Sequence, residues 1–398
     1  MMLKTLDNLD LKGKIVILRC DLNVPIDSKG KITDTTKIQR HKTTIDELIN
    51  KKAKLLIISH LGRPKGKEVK ELSLNKISDD FAKIINIKAI TILPFCQANV
   101  IKSVLNEKEE GSITMMENIR FYPEEEESNE EFAKELSQIA DIYVNDAFSV
   151  SHRKHLSTYA LSSLLPSYVG RSLQLEITML NKINQNIDKP VMSIIGGSKV
   201  STKIDLLISL VKKVDFLVIG GAMANTFLLE SGLNIGKSMV EPDKIDIVKK
   251  VLEKAKENNC TIILPKDVVV SKNLSDSGVA KNIDIKDMKD NLSIFDIGDK
   301  TIEEISNTAA GCKTIFWNGP LGVYERPPFD NSTNVIGRTI AILTKGNILT
   351  SVVGGGDTVA ALNNAELSGG FSYVSIAGGA LIEWLEGKKL PGLLFLEN

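Results

Sequence analysis

Four short loops in the first half of the chain carry charged and polar side chains directly after runs of aliphatic residues. The residues that could contact a ligand there are Asp21, Asn23, His60, Arg63, Arg120, His152 and Arg153. Only eight of the 50 basic residues are arginines, so an arginine in such a loop is expected to be used for its planar, forked geometry. Forked cationic donors that converge suit a phosphate or a carboxylate. The pattern predicts a small-anion site, against the alternative of three unrelated surface arginines.

The second half places glycines at the ends of similar runs, in IIGGSKVSTK, VIGGAMANTF, FWNGPLGVYE, SVVGGGDTV and SIAGGAL. Glycine lets backbone amides approach an anion closely, and the start of a following helix favours negative charge. One such junction is weak evidence, because glycine is common in turns, but several together predict a nucleotide site. Two familiar motifs do not apply. The segment SGLNIGKS has Ser231 in place of the first P-loop glycine, and GGGDTV has Val359 in place of the last dinucleotide-binding glycine.

A reaction class follows from this division. Neither half contains an evident chain of nucleophile, base and orienting residue. An anion site together with a nucleotide site is typical of phosphoryl transfer, in which catalysis is mostly positioning and charge stabilisation. The rival is a NAD-dependent dehydrogenase, which needs a GxGxxG loop and an acid about 20 residues further on. The sequence supplies neither.

The elements that position these residues follow one repeated pattern. A short β-branched run ends in polar or glycine residues, and a helical pattern follows, as in KIVILRC, AKLLIISH and ADIYVNDAF of the first half and PVMSIIGG, DFLVIGG and KTIFWNG of the second. Strands that alternate with helices predict parallel βαβ units with helices on both faces. Because 398 residues exceed one ordinary core, we predict an α/β protein of two doubly wound parallel-sheet domains, divided near 170–185.

Two local patterns bear on the candidate residues. The acidic run Glu124–Glu127 is expected to form a solvated turn. The segment from Val200 to Val211 has the 3.6-residue period of an amphipathic helix, which puts Lys199 and Lys203 on one helix face.

Composition limits the partners. The formal net charge is zero, which gives no basic field for holding nucleic acid. No apolar run approaches the roughly 20 residues that span a bilayer, and the first residues lack the apolar core of a secretory signal. We therefore expect a cytoplasmic protein that binds neither nucleic acid nor membrane. The four cysteines, Cys20, Cys96, Cys260 and Cys312, are far apart in sequence and are expected to be reduced core residues.

Taken together, several segments resemble the phosphoglycerate kinase family along the whole chain. They are DLNVP, HLGRP, ENIRF, VNDAF with SHRKH, GGSKVSTKI, GGAMANTFL, LPKDVVV, WNGPLGVYERPPFD, VVGGGDTVAAL and EWLEGKKLPG. The resemblance implies two Rossmann-like domains that face a cleft and close by hinge bending, in a monomer. It implies reversible phosphoryl transfer between 1,3-bisphosphoglycerate and Mg-ADP. The implied domains are residues 1–172 for 3-phosphoglycerate, 173–380 for the nucleotide, and a segment 381–398 that returns to the first domain.

The resemblance also assigns site residues. Those implied to bind 3-phosphoglycerate are Asp21, Leu22, Asn23, Lys37, His60, Leu61, Gly62, Arg63, Arg120 and Arg153. Those implied to bind ADP or ATP are Gly197, Lys199, Lys203, Gly221, Asn318, Glu325, Gly354, Gly355, Gly356, Asp357 and Thr358. Residues implied to act on the transferred group are Lys37, Lys203, Gly378 and Gly379, and Asp357 would face Mg²⁺. The alternative for Asp357 is a simple N-cap of the helix that starts at Thr358.

The chain departs from the family pattern in two places. Lys37 stands where the family typically has an arginine, which keeps the charge and loses the bidentate fork. Arg40, one helical turn further on, is a candidate substitute. SIAGGAL has Ile376 and Ala377 in place of a threonine and a glycine, but the amides at the helix start remain. The departure at Lys37 leaves open an alternative, a catalytically weakened member of the family that binds nucleotide.

Overall fold

The computed structural model describes residues 3–27, 30–95, 97–185 and 188–397. Its contacts divide the chain into two compact units, residues 1–178 with 389–398, and residues 179–388. The sequence-based boundaries were 172/173 and 380/381. A single helix, Arg171–Gln185, runs through the first of these positions, so no break in secondary structure marks it.

The first unit is built on a parallel sheet. Within the described residues its strands are β1 (Ile15–Arg19), β2 (Lys54–Ile58), β3 (Thr91–Leu93), β4 (Ile113–Met116), β5 (Ile142–Asn145) and β6 (Ser167–Val169). Their order in the sheet is β3-β4-β2-β1-β5-β6, and every pairing is parallel. The short strand β6 was not predicted, because Pro166 and Gly170 on either side of it indicated a break.

Helices cover both faces of this sheet. They are α1 (Thr36–Asn50), α2 (Ser78–Ile85), α3 (Ala98–Asn106), α4 (Pro123–Glu127), α5 (Glu130–Ser137), α6 (Leu161–Leu164) and α7 (Arg171–Gln185). Alternate residues of β1 enter different cores: Val16 packs in the cluster that includes Ile45 of α1, and Ile17 packs in the cluster that includes Leu136 of α5. Both faces of the strand are buried, which explains its uninterrupted apolar sequence.

The last residues of the chain pack within the first unit. Leu3 forms an antiparallel bridge with Glu397, and the amide of Lys4 donates to the Leu396 carbonyl at 2.8 Å. The amide of Gly392 donates to the Ser151 carbonyl at 2.8 Å. The two ends of the sequence therefore belong to one compact body.

The second unit repeats the architecture. Its parallel sheet contains β7 (Val191–Ile195), β8 (Phe216–Ile219), β9 (Thr261–Ile263), β13 (Thr314–Asn318), β14 (Thr350–Gly354) and β15 (Tyr373–Ser375), in the order β15-β14-β13-β7-β8-β9. Its helices are α8 (Ile204–Leu210), α9 (Ala224–Glu230), α10 (Ile245–Glu257), α11 (Asp299–Gly311), α12 (Asn331–Lys345), α13 (Gly356–Asn364) and α14 (Gly378–Leu385). The predicted α/β class, with two parallel sheets and helices on both faces, is confirmed.

The second unit also contains a small antiparallel sheet that was not predicted. Its strands are β10 (Asp267–Ser271), β11 (Lys281–Asp284) and β12 (Ser293–Ile297), in the order β11-β10-β12. The strand β11 is half-exposed and carries lysine, asparagine and aspartate, so it lacks the apolar run by which the other strands were found. Its pairing with the nearby strand β10 depends on cross-strand contacts, which the propensities of its own residues do not encode.

Two of the local predictions were wrong. The acidic run is the helix α4, and the side chain of Glu125 is completely buried. Lys199 and Lys203 do not share a helix face, because a 3₁₀ turn over Val200–Thr202 separates them and α8 begins only after Lys203.

Two further predictions concern the cysteines and the membrane. Cys20, Cys260 and Cys312 are buried, and Cys96 lies outside the described residues. No helix in the described ranges has the length and apolar character needed to cross a membrane.

Candidate functional site

Four adjacent strands of the first unit end at one edge of its sheet and carry the predicted anion-binding residues. The order β4-β2-β1-β5 sets the loops after these strands side by side. The loops contribute Asp21, Leu22 and Asn23 after β1, His60, Leu61, Gly62 and Arg63 after β2, Arg120 after β4, and Arg153 after β5. Strand order therefore brings together residues that are more than 130 positions apart in sequence.

Asp21 anchors Lys37 at this edge. Lys37 lies in the first turn of α1, and its Nζ is 2.7 Å from Oδ2 of Asp21. The hydroxyl of Ser149 donates to the same oxygen. Burial would raise the pKa of Asp21, but the charge of Lys37 and the hydrogen bonds from Lys37 and Ser149 hold it well below its ordinary value. The carboxylate stays charged and fixes the ammonium of Lys37 beside the loop.

The first two loops are joined to each other. Oδ1 of Asn23 accepts a hydrogen bond from the amide of Gly62 at 2.8 Å. The side chains of Leu22 and Leu61 are buried at 0% and 2% exposure, so they hold the loops in place by packing. Asn23 thus supports the loop after β2 and is also a candidate ligand contact.

Arg19, the last residue of β1, is a candidate residue that the sequence analysis missed. It is fully buried, and its Nη2 lies 3.1 Å from Nδ1 of His60. Arginine only donates, so Nδ1 accepts and the imidazole carries its proton on Nε2. Burial, followed by the charge of Arg19, lowers the pKa of His60 well below its ordinary value. The available signal was a lone charged residue inside an otherwise apolar strand.

Arg120 presents its guanidinium from a short 3₁₀ turn after β4. Its Nη1 donates to the Gly62 carbonyl at 2.9 Å, and its Nε lies 3.6 Å from the nearest carboxylate, that of Glu126. The residue is only 3% exposed. Burial and the charges of Arg19 and Arg153 lower the pKa of Arg120 to about 10. Several cations crowded into one poorly solvated region create a strong attraction for an anion.

The remaining arginines behave differently from one another. Arg153 is half-buried, and its Nε donates to Nε2 of His152 at 3.3 Å. Arg63 is exposed, and its side chain makes no hydrogen bond or ion pair with any described residue. Arg40, the candidate substitute for an arginine at position 37, instead pairs with the buried carboxylate of Glu176 at 3.4 Å. The suggestion that Arg40 replaces the missing fork is therefore wrong.

The second unit contains a cleft of about 470 Å³ at the carboxyl ends of its strands. Four of the predicted nucleotide residues line it, Gly197, Gly221, Glu325 and Asp357. Burial, followed by the charges of Glu325 and Asp357, raises the pKa of Tyr324, which also lines the cleft. The rest of the lining was not predicted and includes Ala222, Lys237, Met239, Leu274, Asp296, Pro320 and Val323.

Lys203 is hydrogen-bonded to Asn318 and to the residue that precedes Gly197, which lines this cleft. Its Nζ is 2.7 Å from the Gly196 carbonyl and 2.7 Å from Oδ1 of Asn318. Nδ2 of Asn318 in turn donates to the Gly354 carbonyl at 2.9 Å. Asn318 is 2% exposed and does not line the cleft, so its contribution is to orient Lys203 and β14. Lys199 is exposed and ahead of the 3₁₀ turn, without a side-chain bond to the described residues.

The Gly354–Thr358 segment forms the start of α13. Gly355 is the N-cap, with φ of 97°, and Thr358 is buried and accepts from the amide of Gly319 at 2.6 Å. Asp357 lies in the first turn with an exposed carboxylate, and makes no capping bond. The N-cap alternative for Asp357 is therefore wrong.

The donor set at Asp357 fits Mg²⁺. No cluster of three or more ionisable metal ligands occurs in the described part of the chain. Magnesium is usually bound by one or two carboxylates, with phosphate oxygens and water completing its shell. A single accessible carboxylate at a helix start in the cleft matches this requirement.

The glycines of the second unit fall into two groups. A Cβ on Gly196 would lie 1.9 Å from the Pro320 carbonyl oxygen, so this glycine allows two loops to pack closely. A Cβ on Gly356 or Gly378 would meet no protein atom within 4 Å. Gly378 begins α14, and Gly379, which follows, is exposed. Packing accounts for Gly196, whereas Gly356 and Gly378 leave helix-start amides open to a ligand.

Comparison with known proteins identifies the same family for the whole chain. The family model described as phosphoglycerate kinase matches residues 6–388. A phosphoglycerate kinase of Chelativorans sp. strain BNC1 is 46% identical over 396 residues and covers 99% of each chain. One from Bartonella tribocorum is 45% identical over 396 residues, covering 100% of this chain and 99% of its own.

Solved structures agree with these relatives. The phosphoglycerate kinase of Coxiella burnetii superposes with a TM-score of 0.88 at 39% identity, over 99% of this chain and 98% of its own. That of Pyrococcus horikoshii superposes with a TM-score of 0.83 at 26% identity, over 100% and 98%.

Proposed function

The chain belongs to the phosphoglycerate kinase family, and from that premise we propose how its residues divide the work of the reaction. The protein is a glycolytic phosphotransferase, and the observation that carries this assignment is the family match over residues 6–388. The reaction moves a phosphoryl group reversibly between 1,3-bisphosphoglycerate and ADP. No finding supports the catalytically weakened alternative. A coupled assay of 3-phosphoglycerate-dependent ATP consumption tests the assignment, and absence of turnover at any Mg²⁺ concentration would overturn it.

The first unit is proposed to bind 3-phosphoglycerate or 1,3-bisphosphoglycerate. The proposed contacts are Asp21, Asn23, Lys37, His60, Arg63, Arg120 and Arg153, with Leu22, Leu61 and Gly62 shaping the loops. The support is that Arg120 lies close to the charges of Arg19 and Arg153, and that His60 lies close to those of Arg19, Arg120 and Lys37. Isothermal titration of the intact protein with 3-phosphoglycerate tests this proposal, because Arg120→Ala should weaken binding while leaving ATP binding unchanged.

The second unit is proposed to bind ADP or ATP with Mg²⁺. Gly197, Gly221 and Glu325 would line the nucleotide, with Lys199 at the outer edge. Gly354, Gly355, Gly356 and Thr358 would shape the loop at the phosphates, with Asn318 supporting it from behind. The support is the single cleft that Gly197, Gly221, Glu325 and the exposed Asp357 line, together with the half-buried ammonium of Lys203. When bound, Mg²⁺ would neutralise phosphate charge, and Asp357 would hold it.

The chemistry proposed for these residues is positioning. A carboxylate oxygen of 3-phosphoglycerate attacks the γ-phosphorus of ATP, and the bond to the β–γ bridging oxygen breaks. The acceptor is already an anion, so no residue has to remove a proton. Lys37 and Lys203, with the amides at Gly378 and Gly379, would stabilise the charge on the moving group. Their effect is largest when water is excluded.

Transfer requires the two bound substrates to come within reacting distance, so we also propose hinge-bending closure of a monomeric, cytoplasmic enzyme. Small-angle scattering tests this proposal. The radius of gyration should fall when 3-phosphoglycerate and a non-hydrolysable Mg-ATP analogue are both present, and should change less with either alone. An unchanged radius with both ligands contradicts closure. Sedimentation velocity tests the oligomeric state.

A further inference from the structure

We propose that Glu125 is a positioning residue for the substrate site, acting through Ser157 and Arg19 to hold His60 as a neutral imidazole with its proton on Nε2. This proposal rests on the proposed role of His60 in binding 3-phosphoglycerate. Glu125 contacts neither His60 nor any loop residue that is proposed to touch the substrate. Its influence would pass through a chain of four buried side chains.

The first link joins Glu125 to Ser157. Glu125 lies on α4 with 0% exposure, and both of its carboxylate oxygens are occupied by Ser157. The amide of Ser157 donates to Oε2 at 2.8 Å, and its hydroxyl donates to Oε1 at 2.7 Å. Nδ1 of His155 lies 3.7 Å from Oε1. A buried carboxylate is costly unless it is paired and hydrogen-bonded, so the two bonds from Ser157 are needed to keep the charged Glu125 in this position.

The second link joins Ser157 to Arg19. Because the Ser157 hydroxyl gives its only proton to Glu125, its oxygen is an acceptor, and Nε of Arg19 donates to it at 2.8 Å. Arg19 is fully buried and forms no ion pair with a carboxylate in the described ranges. Burial would raise the pKa of Glu125, but His155, Arg19 and the Ser157 hydroxyl outweigh it and hold that pKa below its ordinary value. The negative charge that balances Arg19 thus reaches it through one hydroxyl.

Local backbone geometry fixes the middle of the chain. Ser157 is part of a π-helical turn, Leu156–Ala160, a rare form that is often found at functional sites. This turn directs both the amide and the hydroxyl of Ser157 at the same carboxylate. The hydroxyl of Tyr143 donates to the Ser157 carbonyl at 2.6 Å, so Ser157 is held on three sides.

The last link determines the state of His60. Nη2 of Arg19 occupies Nδ1 of His60, and a doubly protonated ring would bring two donors together. The charged groups that face His60 are Arg19, Asp21, Arg120 and Lys37. Nε2 makes no hydrogen bond within the described residues, so its N–H is a free donor at the substrate edge. A neutral donor can bind a carboxylate or phosphate oxygen without adding another buried charge.

His41 supplies an internal contrast. Its Nε2 accepts from the Asp21 amide at 2.9 Å, and its Nδ1 faces Asp146 at 2.8 Å. The hydrogen bonds therefore assign His41 the opposite tautomer, with the proton on Nδ1. The chain contains four histidines, so their ring nitrogens can be assigned individually.

The decisive experiment is long-range ¹H–¹⁵N correlation on the full chain labelled with ¹⁵N-histidine, without substrate, near pH 7. We expect His60 to show a protonated Nε2 and an unprotonated Nδ1, and His41 to show the reverse. A His60 ring with the proton on Nδ1, or on both nitrogens, overturns the proposal. This result does not depend on enzymatic turnover or on any variant.

The chain of contacts is tested by Ser157→Ala, with Ser162→Ala as the matched control. Ser162 is also buried, on the adjoining α6, and among the described residues its hydroxyl donates only to the Thr158 and Tyr159 carbonyls. Ser157→Ala removes both bonds of the hydroxyl, to Glu125 and from Arg19, and should raise the KM for 3-phosphoglycerate roughly tenfold with the KM for ATP within twofold. It should also shift the ¹⁵N signals of His60 towards a mixture of tautomers. Ser162→Ala should change neither.

A second variant guards against a fold defect. Glu125→Gln keeps the size of the side chain and removes the charge, so it should shift the His60 signals in the same direction as Ser157→Ala. If both variants leave the His60 signals and the KM for 3-phosphoglycerate unchanged, the positioning role is wrong. If the wild-type protein shows no turnover but the expected tautomer and variant shifts, the proposed function fails while the connection from Glu125 to His60 stands.

Discussion

Nζ of Lys203 and Oδ1 of Asn318 lie 2.7 Å apart, and the ammonium is surrounded by neutral oxygens. The carbonyls of Gly196 and Asn318 supply its other bonds, at 2.7 and 3.2 Å. No carboxylate within the described residues forms an ion pair with it. The half-buried cation is therefore held in place without being neutralised, which leaves its charge available to a phosphate.

This arrangement predicts a pH dependence of nucleotide binding. Burial lowers the pKa of Lys203 to about 8, against the opposing charge of Asp357. ATP affinity should be fully present below that pKa and should fall as the pH rises through about 8, because the ammonium loses its proton. Calorimetric titration with Mg-ATP from about pH 6.5 to about pH 9.5, a range that brackets this pKa, measures the effect. Lys203→Met should bind weakly with no such alkaline decline, and the control Lys199→Met should retain it. A flat profile in the wild type contradicts the prediction.

The same shift affects stability in the opposite direction. The unfolded lysine binds a proton up to its ordinary pKa of 10.5, whereas the folded one releases it near 8. Between these values the unfolded state binds more protons, so the contribution of Lys203 to the free energy of unfolding rises with pH. Comparing urea denaturation of the ligand-free wild type and Lys203→Met at several pH values isolates this contribution. If the difference in the free energy of unfolding between the two proteins does not change with pH, folding does not lower the pKa of Lys203.

Lys37 should be required for its charge. Its ion pair with Asp21 holds it at the substrate edge, so Lys37→Ala should lower kcat about 10²-fold, as is typical for loss of one preorganised charge donor. Lys37→Arg keeps the charge and should stay within roughly threefold of the wild type. Lys42→Ala is the control, because Lys42 lies on the same helix and, among the described residues, bonds to Asp46 and to the Ile85 carbonyl of α2 and to no residue of the proposed site. Full turnover by Lys37→Ala would remove Lys37 from the proposed site.

Asp357 should determine the Mg²⁺ requirement. Asp357→Asn removes the one exposed carboxylate at the start of α13, and should shift the activity curve to roughly tenfold or higher free Mg²⁺ at fixed ATP. Asp246→Asn is the matched control, since Asp246 is also an exposed acid in the first turn of a helix. Superimposable Mg²⁺ curves for Asp357→Asn and the wild type would show that the metal is held elsewhere.

The two groups of glycines should separate stability from activity. Gly378→Ala meets no protein atom, so its melting temperature should be unchanged or higher, while kcat falls at least roughly tenfold if the helix-start amides approach the transferred group. Gly311→Ala, also in open space but at the far end of α11, should be neutral in both. Gly196→Ala should lose about 1–3 kcal/mol or more, because its Cβ overlaps the Pro320 carbonyl. Melting curves and steady-state kinetics on the three variants measure these effects. Normal turnover by Gly378→Ala would show that the amides at the start of α14 do not act on the transferred group.

The sequence was sufficient for the fold class and for the regions of the candidate sites. Apolar runs of four to five residues stand out locally, and the polar or glycine residue that follows each run is a local feature too, for example Asp21 after β1 and Gly196 after β7. In a parallel sheet these positions must share one edge, so their chemistry could be read before any contact was known. The family resemblance then specified the reaction.

Only the tertiary structure showed which of these residues are buried in hydrogen-bond networks and which are exposed at the candidate sites. The acidic run looked solvated, yet Glu125 is buried because the π-turn at Ser157 supplies both of its hydrogen bonds from 32 positions away in sequence. Arg19 appeared to be part of an apolar strand, and its role depends on His60, a residue of the loop after the neighbouring strand β2. Burial and hydrogen-bond partners are properties of distant segments brought together, and no local pattern records them. The amino-acid order therefore determined where the chemistry lies, and packing decided which side chains are charged, aimed and available there.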